Sequence, residues 1–137
     1  MQHTISTYTR MRSQLTDITA EVEQALAALG ATDGVCHVFV PHTTAAVTVN
    51  ENADPTVARD LLTFLERMVP WDGDYTHGEG NSAAHIKAGL LGSTVTVPVV
   101  AGHLQLGTWQ GILFAEFDGP RSRQIVVSFL SSSTPEV

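Results

Sequence analysis

Residues 35–55 read VCHVFVPHTTAAVTVNENADP, and this stretch predicts three elements of secondary structure in succession. Residues 35–41 and 45–49 are rich in β-branched side chains, which favour strands, and they flank the polar tripeptide HTT. Asp54-Pro55 is typical of a helix start, because aspartate caps the first N–H groups and proline suits the first helical position. The stretch therefore predicts two strands that run into and out of a polar turn, followed by a helix.

The rest of the chain continues this alternation of strands, helices and short links. Helices scattered among strands favour an α+β fold with an antiparallel or mixed sheet over a doubly wound parallel sheet. A chain of 137 residues has the usual size of one domain, so we expect a single domain over residues 1–137 with about three helices. Apolar spacing and turn residues predict strands at 2–9, 94–100, 107–117 and 124–130, helices at 18–29 and 82–91, and a surface loop at 70–80.

The composition argues against two classes of partner. The chain carries 7 basic and 14 acidic residues, and this balance opposes the phosphate-backbone electrostatics that nucleic-acid binding requires. No stretch reaches the ~18 consecutive apolar residues of a membrane span, and the N-terminus lacks the pattern of a secretory signal. We therefore expect a soluble, cytoplasmic protein that binds neither nucleic acid nor membranes.

Cys36 is the single cysteine of the chain. One thiol excludes an intrachain disulfide and a zinc site built from several cysteines. The residue lies in the apolar run VCHVFV, so a small buried hydrophobe is the preferred interpretation over a nucleophile.

Histidine is the most informative residue type, because the chain has six and imidazole titrates near neutrality. His42 closes an apolar strand at the rim of the predicted sheet. Asn50 and Glu51 end the next strand, and we expect them to return to the same rim. His77 lies in the Gly-rich loop. The remaining histidines, His3, His37 and His103, fit surface or structural positions.

The start of the helix at 82–91 adds two further polar side chains. Asn81 and His85 are four residues apart and therefore share one helical face. A different face carries Ala83, Ile86 and Leu90, which we expect to pack into the core. The free N–H groups at this helix start would suit a phosphate, and the alternative is an ordinary Asn or Ser N-cap.

Three imidazoles on separate elements with a neighbouring glutamate would suit a divalent metal ion with one open coordination position. The alternative is surface or hydrogen-bonded structural histidines, since the HExxH pairing of a strong zinc motif is missing. Trp109 lies inside an apolar strand, where core packing of the indole is the first interpretation. Arg121 and Arg123 are expected to be solvated, with phosphate binding as the alternative for Arg121.

Three blocks of the sequence, together with the spacing between them, resemble the signature blocks of the YjbQ family. The blocks are HTTAAVTVNENADPTVARD, YTHGEGNSAAHIKAGLLG and LQLGTWQGILFAEFDGPR, and the match spans nearly the whole chain. Members of this family are called secondary thiamine-phosphate synthases. The resemblance implies a compact α+β fold with a β-sandwich-like core, a homotrimer, and a weak ability to join a pyrimidine diphosphate to a thiazole phosphate.

The resemblance also implies which residues form the site. Its motif positions are His42, Thr43, Thr44, Asn50, Glu51, Asp54, His77, Glu79, Asn81, His85, Gln105, Gly107, Trp109 and Gln110. We expect the catalytic residues to be His42, His77, His85 and Glu51. The three imidazoles would bind either a divalent metal, Zn or Mg, or a diphosphate, and Glu51 would assist proton transfer. The residues expected to bind a phosphorylated small molecule are Thr43, Thr44, Asn50, Asn81, Gln105, Trp109, Gln110 and Arg121.

Two other functions stay open at this point. One is a trimeric ligand-binding or regulatory protein without turnover, and the other is a hydrolase that uses a metal-bound water. The trimer has a second motivation besides the resemblance. The apolar run LQLGTWQGILFAEF contains more apolar side chains than we expect one small sheet to cover.

Overall fold

The computed structural model describes residues 1–132, and its elements alternate between strands and helices. The elements are β1 (Gln2–Tyr8), β2 (Gln14–Asp17), α1 (Thr19–Ala28), β3 (Gly34–Phe39), β4 (Ala45–Glu51), α2 (Pro55–Met68), α3 (Ser82–Leu91), β5 (Thr94–Val100), β6 (His103–Leu104), β7 (Gln110–Glu116) and β8 (Ser122–Ser131). Each predicted strand and helix is found, with boundaries shifted by a few residues. The short strands β2 and β6 were not predicted, because neither has enough residues to display a period.

The strands form two antiparallel sheets. One sheet has five strands in the order β1-β8-β3-β5-β6, and the other has three strands in the order β2-β7-β4. Helices α2 and α3 pack on the three-stranded sheet, whereas α1 packs against residues of both sheets. The α+β fold with an antiparallel, sandwich-like core is therefore confirmed.

Both faces of the three-stranded sheet are covered within one chain. Val47 and Phe114 belong to the main core, which includes α1 and the five-stranded sheet. Ala46 and Ala115, one residue along on the same two strands, pack in a second cluster with side chains of α2 and α3. Successive strand residues point to opposite faces, so a strand buried on both sides has a continuous apolar sequence.

This burial corrects the residue-based argument for a trimer. Residues 111–117 are all buried by the fold of one chain, so this half of the apolar run does not require a neighbouring subunit to cover it. The expectation that Trp109 packs in the core is also wrong, since the residue is 63% exposed in the turn before β7. The trimer stays a prediction that rests on the family resemblance.

Local sequence signals explain how α2 begins. The Asp54 carboxylate accepts hydrogen bonds from the backbone N–H and the hydroxyl of Thr56, as expected for an N-cap residue. The hydrogen bonds from Thr56 are the main reason why the pKa of Asp54 lies below its ordinary value. The predicted helix start is confirmed.

Cys36 lies fully buried on β3 between two neighbouring strands. Burial, with a smaller contribution from the negative charge of Glu23, raises the pKa of the thiol to about 11. A thiol that is buried and protonated has little nucleophilic character, so the interpretation as a small core hydrophobe is confirmed.

Candidate functional site

Three cavities adjoin one another through shared lining histidines, and together we call them the histidine groove. The first, of about 500 Å³, lies between the loop before α3 and α3 itself, and the second, of about 410 Å³, shares His85 with it. The third, of about 540 Å³, shares His42 with the second and lies between the end of β1 and the start of β8. The lining residues include His42, Thr43, Asp74, Tyr75, Thr76, His77, Ser82, His85, Ser93, Tyr8, Ser122 and Gln124.

His77 and His85 lie next to each other in the first cavity. Their rings meet edge to face, with centroids 5.4 Å apart and planes at 87°. His77 comes from the exposed loop, and His85 lies one turn into α3, where it is half-buried. His77 and His85 thus line one cavity, and His85 and His42 line the adjoining one.

His42 has a defined tautomer. Its Nε2 accepts a hydrogen bond of 3.0 Å from the backbone N–H of Gln124 at the start of β8. A backbone N–H can only donate, so Nε2 holds a lone pair and the proton of the neutral ring is on Nδ1. Burial is the main cause that lowers the pKa of His42, and the positive charge of Arg123 lowers it further. At neutral pH the residue is therefore an uncharged N–H donor.

A buried ion pair lies directly beneath His42. Glu116 at the end of β7 is fully buried, and Arg123 on β8 is 6% exposed. Arg123 Nε donates to Glu116 Oε1 at 2.8 Å, and its NH2 donates to Thr44 Oγ1 at 2.8 Å. Burial alone would raise the pKa of Glu116, but hydrogen bonds from Arg123, from the Asp118 N–H and from Thr9 lower it below its ordinary value.

Two expectations about this region are therefore wrong. Arg123 is a buried structural cation rather than a solvated one, and Thr44, which was expected at the exposed rim of the sheet, is buried as its hydrogen-bond acceptor. The signal for Arg123 was present in the sequence. Arg123 lies two residues before Ile125 and four before Val127, which are both fully buried. Residues two apart on a strand share a face, so Arg123 points to the buried side of β8.

Asp118 organises the polar contacts at the start of α3. It accepts from Asn81 Nδ2 at 2.9 Å and from Arg121 NH2 at 2.8 Å. Because a carboxylate can only accept, the contact fixes the orientation of the Asn81 amide. Asn81 Oδ1 is then buried without a partner among residues 1–132. Asn81 and Arg121 thus act in structural contacts, and Asn81 does not cap α3 with its side chain.

The apolar face of α3 differs from the expected one. Ala83 is buried as predicted, but Ile86 and Leu90 are 43% and 58% exposed. The buried stripe consists of Ala83, Ala84, Lys87 and Ala88. Small side chains allow the helix to approach the alanines of the three-stranded sheet, so the larger residues turn outward, and Ile86 lines the histidine groove. Lys87 is buried and pairs with Glu66 of α2 at 2.7 Å.

Asn50 and Glu51 lie at the opposite end of the three-stranded sheet from the histidines. Ala45, the first residue of β4, lines the second cavity with His42, and Glu51 is the last residue of that strand. Six residue steps of a strand span about 20 Å, so Glu51 does not return to the rim where His42 lies. The expectation that all six polar residues share one rim is wrong within a single chain.

Glu51 lies instead in a separate cleft of about 470 Å³, which it forms with Ala53, Asp54, Pro55 and the exposed Trp109. The Asn52 N–H donates to the carbonyl of Trp109, which holds the two loops together. Gln110 Oε1 accepts from the N–H of Gly107, and Gln105 Nε2 donates to the carbonyl of His103. The side chains of Gln105 and Gln110 therefore hold turns in this structure.

The predicted three-histidine metal site is not assembled in this chain. Among residues 1–132, no group of three or more His, Cys, Asp or Glu side chains is arranged to hold a metal ion. The contact between Gln124 and His42 explains part of this result, because Nε2 already uses its lone pair and Nδ1 carries the proton. The residues present thus do not fit a metal bound by three imidazoles.

Several residues of the groove were missed by sequence reasoning. Asp74 and Tyr75 belong to a loop without periodicity, and Tyr8 reaches the groove only because β1 pairs with β8, where Tyr8 lies opposite Ser122. The proximity of Asp74 to His77 in sequence is a local signal that could have identified it. For Tyr8 no local signal exists, since the pairing joins residues more than a hundred positions apart.

The fold and the groove define a class of small α+β proteins with two antiparallel sheets and a histidine-lined groove beside α3. A model of the "UPF0047 protein YjbQ-like" family matches residues 3–132. The chain belongs to the YjbQ/UPF0047 family.

Relatives with known sequences and structures agree with this assignment. The chain is 48% identical over 122 residues to the UPF0047 protein MJ1081 of Methanocaldococcus jannaschii, covering 89% of this chain and 88% of the relative. It is 45% identical over 131 residues to the UPF0047 protein YugU of Bacillus subtilis, covering 95% and 99%. A crystal structure of a YjbQ/UPF0047 protein from Clostridium acetobutylicum is 51% identical, with a TM-score of 0.91 over 93% of this chain and 99% of that chain.

None of these names states a reaction or a ligand. They establish the family and the fold. Among residues 1–132, no helix is long and apolar enough to cross a membrane.

Proposed function

We propose that the histidine groove binds a phosphorylated heterocycle and that the protein is an enzyme of the secondary thiamine-phosphate synthase type. The reaction would join a pyrimidine diphosphate to a thiazole phosphate with low efficiency. The observation that carries the proposal is the group of three adjoining cavities, in which His85 and His42 each line two. Each cavity, at about 410–540 Å³, has the size of a small-molecule site.

The reaction releases diphosphate, so negative charge develops on the leaving group as the carbon–oxygen bond breaks. Preorganised N–H donors that point to such charge are a large source of catalysis. His42 offers Nδ1–H as a neutral donor, and His77 and His85 add two further imidazoles that can donate. These groups support binding of a diphosphate in a chain whose net charge is otherwise negative.

The proton-transfer role expected for Glu51 needs a different residue if the reaction takes place within one chain. Asp74 lines the same cavity as His77 and His85. A carboxylate in this cavity can serve as the proton-transfer group that was expected of Glu51. Asp74 is therefore our candidate for this role, and Glu51 can take part only from a neighbouring copy of the chain.

Two matched variants distinguish these possibilities in an assay for thiamine phosphate formation. We expect Asp74→Asn to lower turnover about 10²-fold or more, as for the loss of a general acid-base group, and Glu51→Gln to leave it within about twofold. The reverse result would assign the role to Glu51 and would require a site shared between subunits. Absence of turnover in the wild-type protein, with pyrimidine diphosphate still bound, would favour a ligand-binding or regulatory protein.

The pH dependence of pyrimidine diphosphate binding tests whether a metal takes part. Acid converts imidazoles with an unperturbed pKa near ~6.5 from lone-pair donors to cations. A ligand held through a metal on His77 and His85 should be lost on acidification, because protons compete with the metal. A diphosphate held by the imidazoles themselves should bind more tightly, and we expect this second outcome, with no effect of EDTA.

We also propose that the protein is a homotrimer, as the family resemblance implies. Exposed apolar side chains that a neighbouring subunit could cover include Ile86 and Leu90 beside the groove. Light scattering should report about three times the 14.7 kDa mass of the chain. A monomer at micromolar concentration would contradict the trimer without affecting the groove.

A further inference from the structure

The turn that carries His42 is held from below by two neighbouring residues of β8. The backbone N–H of Gln124 donates to His42 Nε2 at 3.0 Å, and the Arg123 guanidinium donates to Thr44 Oγ1 at 2.8 Å. Thr44 is two residues beyond His42 and is buried. Both ends of the tripeptide HTT are thus fixed to the same point on β8.

The Arg123 side chain is in turn held by hydrogen bonds to Glu116 and Thr44. Its Nε donates to Glu116 Oε1, and its NH2 contacts both Glu116 Oε2 and Thr44. The Glu116 carboxylate also accepts from the Thr9 hydroxyl at 2.8 Å and from the Asp118 N–H at 2.9 Å. Bidentate arginine–carboxylate pairs combine strength with a fixed geometry, and burial strengthens them further.

We propose that Arg123 is a positioning residue, which Glu116 holds in place and which fixes the HTT turn so that His42 stays in the tautomer with its proton on Nδ1. The groove then recognises its ligand through a donated imidazole N–H. This chemistry selects an oxyanion, such as a phosphate or diphosphate oxygen, over a divalent metal ion.

The preference for an oxyanion follows from the lone pairs. A metal ion requires an imidazole nitrogen with a free lone pair. The Nε2 lone pair of His42 is engaged by Gln124, and Nδ1 carries the proton, so a metal on His42 would have to break that contact. An oxyanion instead accepts from Nδ1–H without any change in the turn.

The inference rests on the proposed function only in naming the ligand, because the tautomer of His42 can be measured without any ligand. Long-range ¹H–¹⁵N NMR of the ¹⁵N-labelled protein near pH 7.5 distinguishes protonated from unprotonated ring nitrogens. The His42 signals are assigned by their loss in His42→Gln. We expect a protonated Nδ1 and an unprotonated Nε2, and a protonated Nε2 or a doubly protonated ring would overturn the proposal.

The role of Arg123 is tested with Arg123→Lys, which keeps the buried charge next to Glu116 but cannot contact Glu116 and Thr44 as a planar fork. We expect the His42 signals to become averaged between tautomers and the affinity for inorganic pyrophosphate to fall about tenfold. Arg59→Lys, an exposed change on α2, is the control and should alter neither. Unchanged His42 signals in Arg123→Lys would show that Arg123 does not position the ring.

A second variant keeps the test decisive if Arg123→Lys does not fold. Thr44→Val removes the hydroxyl that Arg123 contacts and leaves the ion pair with Glu116 in place. We expect the same loss of a single His42 tautomer in this variant. A sharp Nδ1–H tautomer in folded Thr44→Val would overturn the link between Arg123 and His42. If the wild-type protein does not bind pyrophosphate, the proposed ligand and the proposed function are contradicted, whereas the assigned tautomer of His42 is not.

Discussion

Glu116→Ala is expected to lower the free energy of unfolding by about 3–5 kcal/mol, because it leaves the charge of Arg123 buried without a partner. Glu116 is fully buried, and its carboxylate accepts hydrogen bonds from Arg123, Thr9 and two backbone N–H groups. Arg123 Nε and the Asp118 N–H lose their acceptor in the variant, whereas the other donors keep a second acceptor at Thr44 or Arg121. Urea unfolding followed by circular dichroism, at one fixed protein concentration, measures the change.

The matched control for this prediction is Arg121, whose exposed guanidinium pairs with the partly buried carboxylate of Asp118. Arg121 NH2 lies 2.8 Å from Asp118 Oδ2, but the Arg121 side chain is 51% exposed. Solvent-exposed pairs contribute about 0–1 kcal/mol, so Arg121→Ala should have a small effect. A loss of less than about 1 kcal/mol in Glu116→Ala would contradict the structural role assigned to the buried pair.

Acid should also destabilise the protein through these buried groups. The pKa of Glu116 and the pKa of His42 are both lowered in the folded protein. For each group the unfolded chain binds a proton more readily, so stability is present above the unfolded pKa and is lost as pH falls toward the folded value. The loss begins near the ordinary histidine pKa for His42 and near the ordinary glutamate pKa for Glu116.

His85→Ala and His77→Ala are expected to lower the affinity for inorganic pyrophosphate by about 10- to 100-fold each. A hydrogen bond to a charged group contributes about 1.5–3 kcal/mol, and each ~1.4 kcal/mol corresponds to a factor of ten. His77 is exposed and His85 is half-buried, so neither change removes much of the core and the fold should stay intact. Isothermal titration calorimetry measures the affinity, and circular dichroism checks the fold.

His103→Ala is the matched control for the two groove histidines. The His103 side chain is 78% exposed on β6, and its only ion-pair contact within residues 1–132 is with Glu23 at 3.9 Å. We expect its substitution to leave pyrophosphate affinity unchanged. An equal loss of affinity in all three variants would mean that the protein binds pyrophosphate by diffuse charge rather than in the groove.

Much of the fold could be predicted because its signals are local. The strand-turn-strand-helix order of residues 35–55 follows from β-branched runs and from the Asp54-Pro55 helix start. His42, His77 and His85 were predicted as site residues, and they line adjoining cavities. The position of Glu51 was not, because the two strands around HTT belong to different sheets and the end of β4 lies a strand's length from its start.

Long-range burial explains the other differences. β7 lies between the main core and the cluster formed with α2 and α3, so its polar member Glu116 is buried together with its apolar neighbours. The partner, Arg123, lies on a different strand, and the pair forms only once the two sheets have assembled. The exposed positions of Ile86 and Leu90 depend in the same way on which face of α3 meets the alanines of the neighbouring sheet.

The most direct test of the groove is to map where a ligand binds. Amide ¹H–¹⁵N spectra recorded during titration with inorganic pyrophosphate should show the largest shifts around His42, His77, Ser82 and His85, and small ones around Glu51 and Trp109. The two clusters lie at opposite ends of β4, so the result is unambiguous. Shifts centred on Glu51 and Trp109 would contradict the histidine groove as the site.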